Sequence, residues 1–218
     1  MYKIKRVGDC TVAMFIVAKN MEQTEEKDQC SVYRKPRDLR NLLFYSYNHC
    51  TASTMNNKLY PLGIEAIYYQ FLYHQTRRVK ELHTRALHYI LSFDSPNYES
   101  DVDKSTVVSI MNMLHCNCFT EYQNICFLHE DKPSHKHIHW IVNPVNLRDL
   151  SICRINFWTL MYQVAEILGV YYEIALQPVT YQNAKGEIVC GKESGAMVYT
   201  KKFLQNYNLE HTAEYIQI

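Results

Sequence analysis

The residues best suited to chemistry in this sequence are the histidines of residues 129–143, a stretch that holds four of the ten histidines in the chain. His137 and His139 flank one apolar residue and run into an apolar segment that is typical of a buried strand. Side chains two apart on a strand leave the same face, so both imidazoles would project together, roughly 6.5–7 Å apart at the backbone. That separation lets both rings approach one metal ion.

A third histidine can join this pair across a turn. His129 ends the apolar run 125–128, and residues 132–134 have the composition of a turn, in which we also place His135. Two strands joined there would bring His129 beside the pair, and three imidazoles with open positions are the arrangement that a catalytic metal needs. Asp131 could support one of these ligands. The alternative is a solvated histidine-rich turn that binds nothing.

Length and composition restrict the class of protein. A chain of 218 residues with 47% apolar residues predicts one globular domain, residues 1–218, that can bury a sizeable core. The most apolar early stretch, residues 11–18, is too short to span a membrane, and no cleavage site follows it. We therefore expect a cytoplasmic, monomeric protein without a membrane segment.

The eight cysteines do not suggest a disulfide framework, because no secretory signal accompanies them. The stretch His115-Cys116-Asn117-Cys118 has donors for zinc, but it lacks a second pair at zinc-finger spacing. The sequence does not favour a structural zinc site there.

The charge distribution suits contacts with nucleic acid better than the net charge does. A net charge of +1 excludes a uniformly basic surface, yet basic residues cluster locally and partly alternate with some of the eighteen tyrosines. Such a pattern suits a phosphate backbone and unstacked bases. Arg77, Arg78 and Arg85 are the candidate DNA contacts of one cluster.

The pattern of apolar and turn residues mixes helices and strands without strict alternation. We predict strand structure within residues 1–19, a loop over 20–30, a helix from Pro36 that Tyr45 closes, and an irregular segment over 48–60. Further predicted elements are helices over 61–82, 103–114, 148–170 and 195–207, strands over 86–93, 123–129 and 137–143, and a hairpin of 171–181 with 187–190. This order predicts an α+β fold, with a central antiparallel β-sheet and helices packed on its faces.

Two motifs in a fixed order carry a family resemblance. Residues 86–93 read Ala-Leu-His-Tyr-Ile-Leu-Ser-Phe, and His129-x-Asp131 and His137-Ile138-His139 follow after a predicted helix. This series resembles the relaxase or mobilisation nucleases of bacterial plasmids and integrative elements, which belong to the HUH endonucleases. The resemblance covers residues 36–170, leaving 171–218 as a C-terminal hairpin and helix. It implies an HUH-endonuclease-like fold related to ferredoxin and RRM folds.

The resemblance also implies an activity. Such an enzyme is a metal-dependent relaxase that nicks one DNA strand at an origin of transfer and stays linked to the 5′ end through a tyrosine. His129, His137 and His139 match its metal ligands, Asp131 an acidic residue that orients a ligand or assists proton transfer, and Ser92 a serine that contacts DNA. The expected cofactor is Mn²⁺ or Mg²⁺, although a nitrogen-rich site also suits Zn²⁺ or Ni²⁺. Single-stranded DNA and relaxosome accessory proteins are the implied partners.

The tyrosine nucleophile is assigned by its position after a short leucine-containing helix. Tyr45 fits that position, and Tyr47 is the alternative two residues on. The chain departs from the family here, because residues 46–51 lack the lysine–threonine pair that often follows the tyrosine. A rolling-circle replication initiator of the HUH class would instead use a tyrosine after the histidines, here Tyr162. The remaining alternative is a non-catalytic DNA-binding accessory protein. His88 lies on the same face of its strand as Ser92 and is interpreted as a structural histidine.

Overall fold

The computed structural model describes residues 12–17, 35–93, 102–132, 135–155, 157–172, 174–177, 180–182 and 188–190. These residues form, in chain order, β1 (Val12–Val17), α1 (Pro36–Asn48), β2 (Cys50–Met55), α2 (Ile64–Thr76), β3 (Leu87–Ser92), α3 (Lys104–Asn117), β4 (Asn124–Lys132), β5 (His135–Val142), α4 (Phe157–Tyr172), β6 (Ala175–Gln177), β7 (Thr180–Gln182) and β8 (Ile188–Cys190). Within them, no helix combines the length and the apolar character that crossing a bilayer would require.

The strands form a sheet whose central members carry the histidines. Six of the described strands pair in the order β2-β4-β5-β3-β1-β6, while β7 and β8 pair with each other as a separate hairpin. Neighbours in the large sheet are antiparallel, except for the short β6, which runs parallel to β1. The predicted α+β fold with a central antiparallel sheet is confirmed, and β4 and β5 lie inside the sheet with a partner on each side.

Each face of the sheet buries its own core beneath a pair of helices. On the α3–α4 face, residues of α3 and α4 pack in one cluster with alternate side chains of the strands, among them Leu128, Ile138 and Trp140. On the α1–α2 face, residues of α1 and α2 pack with Phe127 and Ile141. Each large apolar side chain buried in this way contributes roughly 1.5–3 kcal/mol to folding. Adjacent residues of one strand therefore point into different environments.

Helix α1 begins where the sequence predicts and ends later. Pro36 occupies its first turn, and the side chain of Asp38 accepts a hydrogen bond from the Lys35 backbone N–H at 2.9 Å. Leu39 and Leu43 recur at helical spacing and are fully buried. The helix continues to Asn48 rather than closing at Tyr45. This extension places Tyr45 in the last turn of the helix, above the sheet.

Two of the predicted element boundaries are wrong. Residues 48–60 are not irregular throughout, because Cys50–Met55 forms the edge strand β2 against β4. The helix predicted over 148–170 begins only at Phe157. Ahead of it, the Asn146 side chain accepts hydrogen bonds from the backbone N–H groups of Arg148 and Asp149, at 2.8 and 3.3 Å. Such side-chain bonds favour a turn over a helix.

Two further elements are shorter than predicted, and two predictions lie outside the described residues. Helix α2 spans Ile64–Thr76 rather than 61–82, and it begins after Gly63, whose φ of +93° suits glycine. The C-terminal hairpin is confined to β7 and β8, because β6 joins the large sheet instead. The loop over 20–30 and the last helix over 195–207 fall outside the described part of the chain.

Candidate active site

Three histidine side chains from β4 and β5 converge on the α1–α2 face. His129 lies directly opposite His137 across the two strands, and His139 follows two residues along β5. Their candidate ligand nitrogens all lie within 4.8 Å of one another. The ring centroids are 4.3 Å apart for His129 and His139, 5.0 Å for His137 and His139, and 5.2 Å for His129 and His137. The structure thus brings together the three residues that the sequence spacing selected, although His135 belongs to β5 rather than to the turn.

Burial keeps His139 in the form that binds metals. All three rings are buried, and burial, followed by the neighbouring histidines His88, His129 and His137, lowers the pKa of His139 to about 2. A low pKa leaves the ring neutral at physiological pH, with a lone pair on one nitrogen. Three imidazole nitrogen donors at this spacing fit a divalent cation with coordination positions left for a substrate. The donor set therefore suits the metal that the sequence implied.

Helix α1 supports one of these ligands through its backbone. The ring Nε2–H of His129 donates a hydrogen bond of 2.7 Å to the carbonyl oxygen of Ser46. Carbonyl groups in the last turn of a helix lack intrahelical partners, so Ser46 can accept from a neighbouring strand. This bond leaves Nδ1 of His129 as the nitrogen with a lone pair. It also ties the helix that carries Tyr45 to a candidate metal ligand.

Tyr45 lies over the histidine cluster, while the Tyr47 ring contacts a phenylalanine that pairs with His139 in the sheet. The Tyr45 ring centroid is 6.1 Å from that of His129 and 6.3 Å from that of His139, and 55% of the residue is exposed. Tyr47 is also exposed, but its ring packs edge-on against Phe127 at 6.4 Å. Of the two candidate nucleophiles, Tyr45 is the one that the structure brings to the histidines.

His49 joins the site, although the sequence analysis did not select it. Its ring centroid lies 4.6 Å from that of Tyr45 and 6.1 Å from that of His129. Its Nδ1–H donates a hydrogen bond of 2.8 Å to the Tyr45 carbonyl oxygen. The sequence offers one signal for His49: it lies four residues after Tyr45, and this spacing places both side chains on one side of a helix.

His88 contacts the cluster from the neighbouring strand β3. Its Nε2 shares a hydrogen bond of 2.8 Å with Nδ1 of His139, and the two rings stack with centroids 5.0 Å apart. Burial, followed by the nearby His129, lowers the pKa of His88 to about 4. The side chain is buried and hydrogen-bonded, as a structural histidine would be, but its partner is a candidate metal ligand.

Two further predicted site residues lie along the same strands. Ser92 is directly opposite His137, at the end of β3, and is 5% exposed. Asp131 belongs to β4, where the pairing with β5 shifts register between Glu130 and Lys132. The side chain of Asp131 lies outside the described part of the structure. The roles assigned to both residues stay predictions.

The three predicted DNA-contacting arginines lie away from the histidine cluster. The Arg85 guanidinium donates to the Gln75 side chain at 3.3 Å, and Gln75 donates to the side chain of Asn143 at 3.2 Å. Asn143 is four residues beyond His139 along the chain, roughly 13 Å away at the rise of a strand. Arg78 donates to the backbone carbonyl of Leu150, and Arg77 is exposed at the C-terminal end of α2. Contact between these arginines and DNA stays a prediction.

Comparison with known proteins agrees with this geometry. An α+β sheet with a histidine–apolar–histidine strand at its centre has the HUH-endonuclease-like fold that the sequence resemblance implied. The family model for the relaxase MobA/VirD2-like nuclease domain matches residues 45–168, which is more than half of the 218 residues. The chain therefore belongs to the MobA/VirD2-like relaxase family. Searches of curated proteins and of solved structures gave no match.

Proposed function

We propose that this protein is a metal-dependent, site- and strand-specific DNA endonuclease and strand transferase. It nicks single-stranded DNA at an origin of transfer, and it remains joined to the 5′ end through a phosphotyrosine, so that the DNA strand can be mobilised. The family supports a relaxase nuclease in general terms. The observation that carries the finer proposal is the position of Tyr45, an exposed phenol whose ring lies 6.1 and 6.3 Å from two of three converging imidazoles.

The proposed chemistry exchanges one phosphodiester bond for another. The Tyr45 hydroxyl oxygen attacks the scissile phosphorus and loses its proton, and a new bond forms between that oxygen and the phosphorus. The bond from phosphorus to the 3′ oxygen breaks, and the 3′ oxygen takes up a proton. No phosphodiester energy is lost to water, so a 3′ hydroxyl can later reverse the reaction and reseal the strand.

A divalent ion held by His129, His137 and His139 would withdraw charge from the phosphate, and Mn²⁺ or Mg²⁺ is the expected ion. The residues of the chain contribute the geometry around it. The neutral imidazoles add no negative charge that would repel DNA. The Ser46 carbonyl oxygen accepts a hydrogen bond of 2.7 Å from His129 Nε2. Ser46 belongs to α1, the helix that carries Tyr45. One helix–strand contact therefore links the helix that carries the attacking group to one of the three candidate ligands.

The same geometry argues against Tyr162 as the nucleophile of a rolling-circle initiator. Tyr162 belongs to α4, and residues of α4 on either side of it, Leu160 and Val164, pack in the core of the α3–α4 face. The histidines converge on the α1–α2 face, so the sheet itself separates α4 from them. A non-catalytic accessory protein is the remaining alternative, and it predicts DNA binding without a covalent product.

The experiment tests for a covalent product. The protein is incubated with single-stranded DNA that carries the origin of transfer of its own element, with Mn²⁺ or with a chelator, and resolved on a denaturing gel. We expect a protein–DNA adduct with Mn²⁺ and none with the chelator. Tyr45→Phe removes the attacking oxygen and should abolish the adduct, whereas Tyr47→Phe should retain it.

Two outcomes would contradict the proposal. An adduct that persists in Tyr45→Phe and disappears in Tyr47→Phe or Tyr162→Phe would move the nucleophile to another tyrosine. DNA binding without an adduct in the wild-type protein would favour the accessory protein.

A further inference from the structure

The hydrogen bond between His88 and His139 restricts which nitrogen of His139 can bind a metal. The bond joins His88 Nε2 and His139 Nδ1 at 2.8 Å, and both rings are buried. One ring must donate and the other must accept, because a neutral imidazole carries one N–H and one lone pair. If His88 donates, His139 accepts at Nδ1 and carries its own proton on Nε2, which prevents metal binding. If His139 donates, its Nε2 has the lone pair.

We propose that His88 is a positioning residue that accepts the Nδ1–H of His139 and thereby directs Nε2 of His139 towards the metal. This inference rests on the proposed function, since it requires an ion among His129, His137 and His139. Metal-bound histidines generally donate their second N–H to an acceptor, which fixes both the tautomer and the orientation of the ring. His88 supplies that acceptor here from β3, the strand paired with β5.

The choice of an imidazole as acceptor has a chemical consequence. The usual acceptors for a metal-bound histidine are a carboxylate, a backbone carbonyl or a water. A carboxylate would add a negative charge beside a site that must receive a phosphate. A neutral imidazole holds the ligand without that charge, so the ion keeps more of its attraction for the scissile phosphate. His129 shows the same preference, because its acceptor is the uncharged Ser46 carbonyl oxygen.

Stacking adds a geometric constraint to the hydrogen bond. The planes of the His88 and His139 rings are 24° apart, with centroids at 5.0 Å. A side chain that only fills this space would keep the packing and lose the acceptor. The two contributions can therefore be separated by substitution.

The test compares two amides that differ in length. In His88→Gln the amide oxygen reaches the position of Nε2 and can accept from His139, whereas in His88→Asn the shorter side chain stops near Nδ1. His88→Met fills the space without a comparable acceptor. Titration with Mn²⁺ or Zn²⁺ gives the dissociation constant of each variant. We expect about 10–100-fold weaker binding in the Asn and Met variants, and binding within a few-fold of wild type in the Gln variant.

A second readout reports the tautomer directly. In the Zn²⁺-loaded wild-type protein, ¹⁵N NMR of the histidine rings should show His139 protonated at Nδ1 and metal-bound at Nε2. Thermal unfolding without metal identifies any variant that fails to fold. If His88 had a purely structural role, its variants would unfold at a different temperature, but the protonated and metal-bound nitrogens of His139 would be the same as in the wild-type protein.

The outcomes separate this inference from the proposed function. If wild-type protein and His139→Ala bind metal equally weakly, the metal site itself is wrong. If wild-type protein binds metal and folded His88→Met binds it equally well, His88 does not position His139. Assignment of the His139 proton to Nε2 in the loaded protein would also overturn the inference.

Discussion

The two faces of the sheet bury histidines in contrasting ways. On the α3–α4 face, His115 of α3 lies between two polar side chains: its Nδ1–H donates to the side-chain oxygen of Asn124, and its Nε2 accepts from the Thr54 hydroxyl at 2.9 Å. On the α1–α2 face, His139 meets other imidazoles, with His88 at 2.8 Å and His129 and His137 beside it. Both histidines are almost fully buried.

The difference lies in the partners rather than in burial or basicity. Burial lowers the pKa of both His115 and His139, so both rings are neutral in the folded protein. The hydroxyl and the amide use both nitrogens of His115, which leaves no lone pair for an ion. In the gathered imidazoles, the Ser46 carbonyl oxygen accepts the N–H of His129, and the candidate ligand nitrogens of His129, His137 and His139 lie within 4.8 Å of one another, a spacing that suits a cation. The set of partners therefore distinguishes a structural histidine from a candidate ligand.

The largest expected effect comes from removing a ligand. His139→Ala should weaken Mn²⁺ binding by more than about a hundredfold, because loss of a direct ligand costs more than loss of a residue that supports one. The DNA adduct should disappear with it. Isothermal titration with Mn²⁺ and the adduct assay measure the two effects.

The matched control lies on the other face. His115→Asn keeps an N–H near the position of Nδ1, so the bond to Asn124 can persist while the imidazole is lost. Its Mn²⁺ affinity should equal that of the wild-type protein. If His115→Asn weakened metal binding as much as His139→Ala does, the contrast between the two faces would be wrong.

The next largest effect is a loss of stability on the α3–α4 face, where His115 is buried. His115→Leu leaves the part-buried Thr54 hydroxyl without its imidazole partner, while the Asn124 oxygen keeps only the Trp140 indole N–H, at 3.1 Å. We expect a loss of about 2 kcal/mol in the free energy of unfolding, since an unpaired buried polar group costs about 1–3 kcal/mol. Chemical denaturation measures the loss, and His115→Asn should recover part of it. A neutral effect of His115→Leu would mean that this network is dispensable.

The sequence predicted those parts of the site that depend on local periodicity. His137 and His139 share a face because side chains on a strand alternate, and His129 joins them because a short connection forces β4 and β5 to pair. The leucine spacing predicted helix α1, and the resemblance to the relaxases, which place their tyrosine after such a helix, selected Tyr45. None of these steps requires knowledge of a distant segment.

The contacts that the sequence did not predict all depend on distant segments. β2 reads Cys-Thr-Ala-Ser-Thr-Met, which is mostly small and polar, and its identity as a strand comes from its pairing with β4, more than sixty residues later. His49 becomes a neighbour of His129 only because the end of α1 meets β4. Arg78 and Arg85 have the composition of a DNA contact, yet their guanidinium groups bond to Leu150 and Gln75. A cluster of basic residues in a sequence does not predict at which end of the sheet those residues will lie in the fold.

A smaller effect should appear in the pH dependence of stability on the histidine-cluster side. The pKa of His88 falls from 6.5 to about 4 on folding because the ring is buried. Between these two values the unfolded chain binds a proton that the folded protein does not, so acidification favours unfolding. Metal-free wild-type protein should therefore lose about 1.5 kcal/mol more than His88→Gln between pH 6.5 and 5, because the slope approaches its limit of about 1.4 kcal/mol per pH unit only once the unfolded ring is fully protonated.

Urea denaturation of both proteins at several pH values measures this difference. Above about pH 8 the difference between the two free energies of unfolding should stay constant, because His88 is neutral in both states. Parallel curves down to pH 5 would show that His88 keeps its ordinary pKa, and that burial has not displaced it.

The smallest expected effect isolates one bond of the His115 network. Thr54→Val keeps the shape of the side chain and removes the hydroxyl that donates to His115 Nε2 at 2.9 Å. One neutral hydrogen bond contributes about 1 kcal/mol, and the lost donor leaves a single nitrogen acceptor unpaired. Chemical denaturation should show a loss of about 1 kcal/mol, with unchanged Mn²⁺ affinity. Thr51→Val, on the same strand but outside the His115 network, is the control for metal binding. If Thr54→Val created a metal site at His115, the free nitrogen alone would suffice to bind an ion, and the gathering of several imidazoles on the other face would lose its significance.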